Sequence, residues 1–197
     1  MRKVIIFTNL TLDGVMQGPA GPDEDPRDNF QQGGWAAPYG AMQSPEIGDS
    51  IPEKTAMLFG RRTYEDFYSF WPNQPGNPMT DMLNNMQKYV ASRTLESPLP
   101  WINSTLLKGE AAQTVAELKT QDGPALMVMG SGDLAQTLMK HNLVDRYVLL
   151  IHPVMLGSGH RLFEHGIPPA TLRLTAARPT QTGVIVATYE PAESAQS

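Results

Sequence analysis

The most constraining stretch in the chain is Ala125-Leu-Met-Val-Met-Gly-Ser-Gly-Asp-Leu-Ala-Gln-Thr-Leu-Met139. Ala125 to Met129 reads as a buried strand. Gly130-Ser131-Gly132 breaks the run, and Leu134, Leu138 and Met139 then recur at helical spacing. A strand that feeds a helix through a Gly-x-Gly turn leaves backbone N–H groups free at the helix start, beside its positive dipole end. Such a turn suits a phosphate, although glycine there also serves a backbone that simply needs positive φ. An ordinary dinucleotide fold would add a carboxylate at the end of the next strand. Here the next strand, Arg146 to His152, ends in His152-Pro153. Any further contacts to a dinucleotide must therefore come from earlier strands.

The other segments fit this frame. Val4 to Asn9 reads as a buried first strand. Gly18 to Gly40 holds five glycines, four prolines and Asp23-Glu24-Asp25. So long an irregular stretch is either a functional lid or a surface insertion, and Trp35 favours a lid that packs on something. Ala41–Ile51 has weak helical character between prolines. Ala56–Phe59 is a second strand, followed by a helix with Tyr64, Phe67, Phe70 and Trp71 along one side. Met79–Gln87 is a short helix with Met82, Leu83 and Met86 turned inward as core filler. Tyr89–Ala91 is a third strand, Trp101–Leu107 an edge strand and Ala111–Thr120 a helix stopped by Gly123-Pro124. The helix after the Gly-x-Gly turn runs to about Asn142. Leu172–Thr175 and Val184–Tyr189 form an antiparallel pair, and residues 191–197 a disordered tail.

Strands alternating with helices predict an α/β fold with a mostly parallel sheet, helices on both faces and an antiparallel C-terminal edge. A single domain over residues 1–190 suits a chain of 197 residues. The net charge of −5 argues against nucleic acid as a main partner. Zero cysteines exclude a disulfide framework, a thiolate nucleophile and cysteine-ligated metal, and no metal site is expected. The apolar run Val4–Phe7 is too short for an export signal and none is long enough for a membrane span, so a cytoplasmic location follows by default. The absence of a Gly-x-Ser-x-Gly elbow disfavours a hydrolase.

Three strand ends share a feature: Phe59-Gly60-Arg61-Arg62-Thr63, Ala91-Ser92-Arg93 and Met129-Gly130-Ser131-Gly132 each continue into small or cationic residues. Ligands of open α/β sheets lie beyond the carboxyl ends of the strands, and arginine suits a phosphate monoester. With Leu12-Asp-Gly14, Leu58-Phe-Gly-Arg-Arg-Thr-Tyr-Glu65, Trp71-Pro72, Ser92-Arg93, Met127–Gly132 and Pro153-Val-Met-Leu-Gly-Ser-Gly-His-Arg-Leu-Phe163, the chain resembles the dihydrofolate reductase superfamily. It is most similar to the branch containing the C-terminal reductase domain of the bifunctional riboflavin-biosynthesis deaminase–reductase. The resemblance implies a three-layer dihydrofolate-reductase-like fold, NADPH as cofactor and a homodimer joined through the C-terminal strands. It also implies a small heterocyclic substrate: the aminouracil riboside phosphate of riboflavin synthesis or, alternatively, a pterin such as dihydrofolate. A nucleotide-binding module without turnover is the other alternative.

The resemblance further implies site residues. Thr8, Asn9, Val15 and Met16 would border the nicotinamide. Gly60, Arg61, Arg62 and Thr63 would open a helix onto the phosphates. Ala91, Ser92 and Arg93 would take the adenosine 2′-phosphate. Met129, Gly130, Ser131, Gly132 and Leu134 would hold the pyrophosphate. Trp35, His152, Gly157, Ser158 and Gly159 would lie on the substrate side, although the glycine loop equally suits a plain chain reversal. Candidate acids for proton supply are Asp13, whose alternative role is to shape its turn, and Glu46 on the first helix, with Asp49 beside it. Histidine is the residue type suited to proton exchange, which makes His152 and His160 candidates, but hydrogen-bonded structural histidine is the competing reading of both.

Overall fold

In the computed structural model of the chain, residues 1–48, 50–164 and 166–192 are described. The strands are β1 (Val4–Thr11), β2 (Thr55–Gly60), β3 (Lys88–Ser92), β4 (Ser104–Lys108), β5 (Ala125–Met129), β6 (Arg146–His152), β7 (Leu172–Pro179) and β8 (Ile185–Pro191). They join in one sheet in the order β4-β3-β2-β5-β1-β6-β8-β7. The β4–β3, β3–β2 and β2–β5 pairs are parallel, and the β6–β8 and β8–β7 pairs antiparallel. This is the expected α/β architecture with its antiparallel edge. The helices are α1 (Pro45–Gly48), α2 (Arg61–Phe70), α3 (Pro78–Asn85), α4 (Ala111–Thr120) and α5 (Gly132–Lys140). The chain divides into two compact units: Met1–Ile5 with Glu53–Val144, and Ile6–Pro52 with Asp145–Ser197.

In the first unit β2 is buried along Ala56–Phe59, which explains its unbroken apolar run. Over it, α2 buries Tyr64, sets Phe67 5.1 Å from the Phe59 ring and turns Phe70 to solvent, so the four aromatics expected along one side do not share one environment. The Tyr64 hydroxyl accepts the Trp101 N–H at 3.0 Å. Trp101 is buried ahead of β4 rather than within it. Pro78 starts α3 behind an Asn77 cap, and the helix buries Thr80 and Leu83 while Met82 is 44% exposed. Met82 is therefore not core: the inward stripe runs through Thr80 and Leu83, three residues apart, and Met82 falls beside it.

Fully buried Lys88 ends that helix. Its Nζ donates to the carbonyls of Leu83 at 2.6 Å and Met86 at 2.7 Å and lies 4.7 Å from the centre of the Trp101 ring. These carbonyls are the orphan acceptors of a helix C-terminus, so a cation belongs there. Burial nevertheless pushes the ammonium down to about 8.

The second unit contains the Pro- and Gly-rich segment. It is built of three 3-10 turns, Arg27–Asn29, Ala37–Tyr39 and Ala41–Gln43, then the single turn of α1. The weak helix expected over Ala41–Ile51 is thus two separate short turns. Trp35 anchors the segment: its Nε1–H donates to Gln17 O at 2.8 Å, and it packs with Val15, Phe30, Ala36 and Leu156. Asp25 pairs with Arg27, and both Asp25 and Arg27 offer a carbonyl to the Gln17 amide.

Asp13 fastens the loop after β6. Its carboxylate accepts the Thr11 hydroxyl at 2.6 Å, Leu156 N–H at 3.2 Å and Gly157 N–H at 2.8 Å, with Arg161 Nη2 at 3.5 Å. The Thr11 bond, aided by the two amides, holds Asp13 at about 2. β8 closes the unit, and Ala192 N–H donates to Thr171 O just after it. Backbone pairing thus extends through Pro191 and Ala192, two residues into the expected tail; residues 193–197 lie outside the described residues.

Lys88 and Asp13 each make stability depend on pH. Lys88→Met removes the donors from two buried carbonyls and should cost about 2 kcal/mol in urea unfolding at neutral pH. The lysine is lowered in the folded state, so the unfolded chain binds more protons between its folded value of about 8 and the ordinary 10.5. Wild-type stability should therefore rise across that window, and the rise should vanish in the variant. Asp13 gives a slope of the same sign in acid, since its stabilisation is complete above the ordinary carboxylate value and lost as pH falls toward 2. Asp13→Asn should flatten the acid limb between pH 4 and 2 in a thermal-melt series.

Candidate active site

The parallel ladder in the first unit determines where the three marked strand ends emerge. Gly60 stands opposite Ala91 in β3, and Leu58 opposite Val128 in β5. Because all three strands run the same way, Gly60–Thr63, Ser92–Arg93 and Gly130–Gly132 leave the sheet along one edge. Gly60 N–H donates to Ser131 Oγ at 3.0 Å, tying two of the turns together.

This bond has a consequence for α5. Ser131 is its N-cap residue, yet the side chain serves Gly60 and makes no capping bond to its own helix. No side chain caps α2 either. The opening N–H groups of two helices thus have no intrahelical acceptor. Gly130 adopts φ +69°, and a Cβ on it would lie 3.6 Å from Thr63 Cγ2; one on Gly60 would lie 3.7 Å from Leu134 Cβ. The sequence-chosen residues Gly60, Thr63, Gly130, Ser131 and Leu134 are therefore close neighbours, and the bare glycines keep the backbone open to an anion.

Cations flank the same edge. Arg61 is half-exposed in an i,i+4 pair with Glu65 at 2.8 Å. Arg62 is exposed and pairs with no described residue. Arg93 reaches exposed Glu110 at 3.3 Å, a surface pair too weak to hold it against a phosphate. Ser92 Oγ accepts the N–H groups of Thr94 and Leu95, shaping the turn that presents Arg93. Ala91 and Met129 are the last apolar residues before their turns, the first buried and the second half-buried.

In the second unit the expected nicotinamide-side residues behave differently from one another. Thr8 is buried, and its hydroxyl bonds the Asn9 carbonyl. Asn9 alone in β1 is not fully buried. Val15 is fully buried in the Trp35 cluster, and both its backbone groups bond Thr11. Its side chain is wholly within that apolar cluster. Met16 is also buried, with its N–H on His160 O.

On the substrate side, Trp35 and His152 do meet, their rings perpendicular at 5.2 Å. Tyr39, which sequence reasoning missed, meets His152 in the same way. Gly159 is glycine for packing: a Cβ there would lie 2.8 Å from both Phe30 and Val15. Ser158 bonds Gln32 and His160 bonds Asp28 at 2.7 Å, so the glycine loop is laced to the Trp35 segment. Gly157 serves as the amide donor to Asp13. An open depression of about 450 Å³ borders Gly159, Arg161, Phe163 and Glu164.

Neither candidate acid is suited to giving a proton. Asp13 is ionised above about pH 2, with both oxygens occupied. Glu46 is also lowered, chiefly by the Ser44 hydroxyl bonded to it. Asp49 lies outside the described residues. The pairing of Asp13 with the Leu156 and Gly157 amides joins residues more than 140 positions apart, which no local pattern reveals.

Comparison with known proteins identifies the fold and the family. The uncharacterized protein YyaP of Bacillus subtilis is 26% identical over 95% of this chain and 94% of its own. A putative riboflavin biosynthesis protein from Shewanella sp. superposes with a TM-score of 0.66 at 21% identity, covering 97% of this chain and 99% of that one. Dihydrofolate reductase from Enterococcus faecalis, complexed with NADP(H) and RAB-propyl, gives 0.58 at 11% identity, covering 97% of each. These two likenesses establish the dihydrofolate-reductase-like fold. Among the described residues no helix is long and apolar enough to cross a membrane. The sequence matches the RibD C-terminal domain over residues 2–186, and the chain belongs to that family.

Proposed function

We propose that this protein is an NADPH-dependent reductase of a small heterocycle, of the aminouracil riboside phosphate or pterin kind. The observation that carries the reading is the shared edge where β2, β3 and β5 end. Two uncapped helix starts, two bare glycines and the arginines beside them suit several phosphates of one dinucleotide. The bound nicotinamide would supply the hydride. The chain's own part is to bind and orient: Gly60–Thr63 and Gly130–Gly132 would hold the pyrophosphate, Arg93 the 2′-phosphate, and Thr8 and Asn9 would border the ring. The complex of the Enterococcus reductase with NADP(H) supports that choice of cofactor.

A second reading is a nucleotide-binding module without turnover. It is favoured by the state of Asp13 and Glu46, both held ionised. Saturable NADPH binding with no oxidation across flavin precursors, pterins and quinones would select it over the enzyme. A homodimer belongs to the same proposal: β7 ends the sheet and is exposed along most of its length. Size-exclusion chromatography with light scattering should return twice 21.6 kDa.

Titration of NADPH against tryptophan fluorescence tests the reductase reading directly. Saturable quenching is expected. Arg93→Ala should weaken NADPH about tenfold or more, the cost of one charged hydrogen bond, and leave NADH unchanged. Equal affinity of the variant and the parent for NADPH would remove the assignment of the 2′-phosphate.

A further inference from the structure

His152 is fully buried at the end of β6, 5.2 Å from the rings of both Trp35 and Tyr39. Its Nε2 lies 2.9 Å from Asn9 Oδ1, while its Nδ1 is buried with no hydrogen-bond partner among the described residues. An amide oxygen only accepts, so the proton of this imidazole must sit on Nε2, and Nδ1 is bare. Burial lowers the ring to about 4, which leaves it neutral with one proton to place at ordinary pH. Enclosure between two aromatic rings prevents the imidazole from turning to any other partner.

The effect on Asn9 is directional. With Oδ1 occupied from within, the Nδ2 group is what the side chain shows outward. No described acceptor takes Nδ2, and it is absent from the buried unpaired atoms. Asn9 is also the only residue of β1 with appreciable exposure. A free asparagine amide can present either end to a ligand; this one presents only donors.

We propose that His152 is a positioning residue that locks the Asn9 carboxamide with its N–H groups outward, making Asn9 a selector for a carbonyl oxygen on the bound ligand. The proposal rests on the reductase reading, under which Asn9 borders the reacting ring. Two ligand carbonyls share that chemistry: the cofactor's carboxamide and a ring carbonyl of the substrate. A buried bond fixing a polar group's orientation rejects the wrong partner more strongly than a mobile one does.

Asn9→Asp is the informative variant, because it keeps the acceptor for His152 and replaces only the outward donor. A tenfold or larger loss of NADPH affinity, with 2′-phospho-ADP-ribose unaffected, supports the proposal with the cofactor carboxamide as ligand. An unchanged NADPH affinity with a tenfold rise in the substrate KM supports it with the ring carbonyl. No change in either overturns it. His152→Gln, which can still donate, should stay within threefold of wild type. His152→Leu should match Asn9→Asp, and the double variant should lose no more than either single one; additive losses would overturn the positioning role.

Should the leucine variant not fold, the 15N spectrum of labelled imidazole in the unliganded wild type decides the orientation. Protonated Nε2 with bare Nδ1 is expected, and protonated Nδ1 overturns the lock. Wild type that fails to bind NADPH would overturn the reductase reading and the ligand half of this proposal. The imidazole spectrum would still judge the Asn9 orientation by itself.

Discussion

The parallel hydrogen-bond ladder joining β3, β2 and β5 is the constraint on which the phosphate edge depends. Parallel strands enter a sheet at one side and leave at the other, so their carboxyl ends align whenever the register is unslipped. The pairing of Gly60 with Ala91 and of Leu58 with Val128 meets that condition. Three turns well separated in the chain, at Gly60–Thr63, Ser92–Arg93 and Gly130–Gly132, thereby become neighbours. A two-residue slip of β5 would carry Ser131 away from Gly60, and with it the diversion of that hydroxyl from its own helix.

Charges are handled in two ways. In the first, the cations at the strand ends remain at the surface with weak partners, where a phosphate can compete for them. In the second, Asp13 is surrounded by donors and spends its charge on the backbone of the 154–157 turn. Lys88 likewise uses its ammonium to close a helix. A carboxylate or ammonium saturated in this way is part of the framework. That is why the most family-like acid in the chain is a poor proton source.

Much of the fold was legible from local pattern. The α4 and β5 boundaries match the sequence reading to the residue, because each is a periodic apolar segment bounded by Gly, Pro or charge. Errors cluster where burial depends on what lies opposite. Met82 and Phe70 have core chemistry but face solvent, since the short helices carrying them bury only one narrow side. Val15 sits beside a family motif, yet its partners Phe30 and Trp35 come from a segment with no periodicity to read. Lys88 carries no signal of burial in sequence, because a lysine at a strand start is ordinarily solvated.

Residue order alone determined the alternation of strands and helices, the apolar runs that must be buried and the small or cationic residues after each strand, for these depend on spacing within one segment. Tertiary structure alone decided which side-chain atoms are spent and which are left over. Asp13 is consumed by amides over 140 positions away, Ser131 by Gly60, and Asn9 Oδ1 by His152. Each hydrogen bond saturates a particular lone pair or proton, and its partner is chosen by chain crossings that no local spacing encodes.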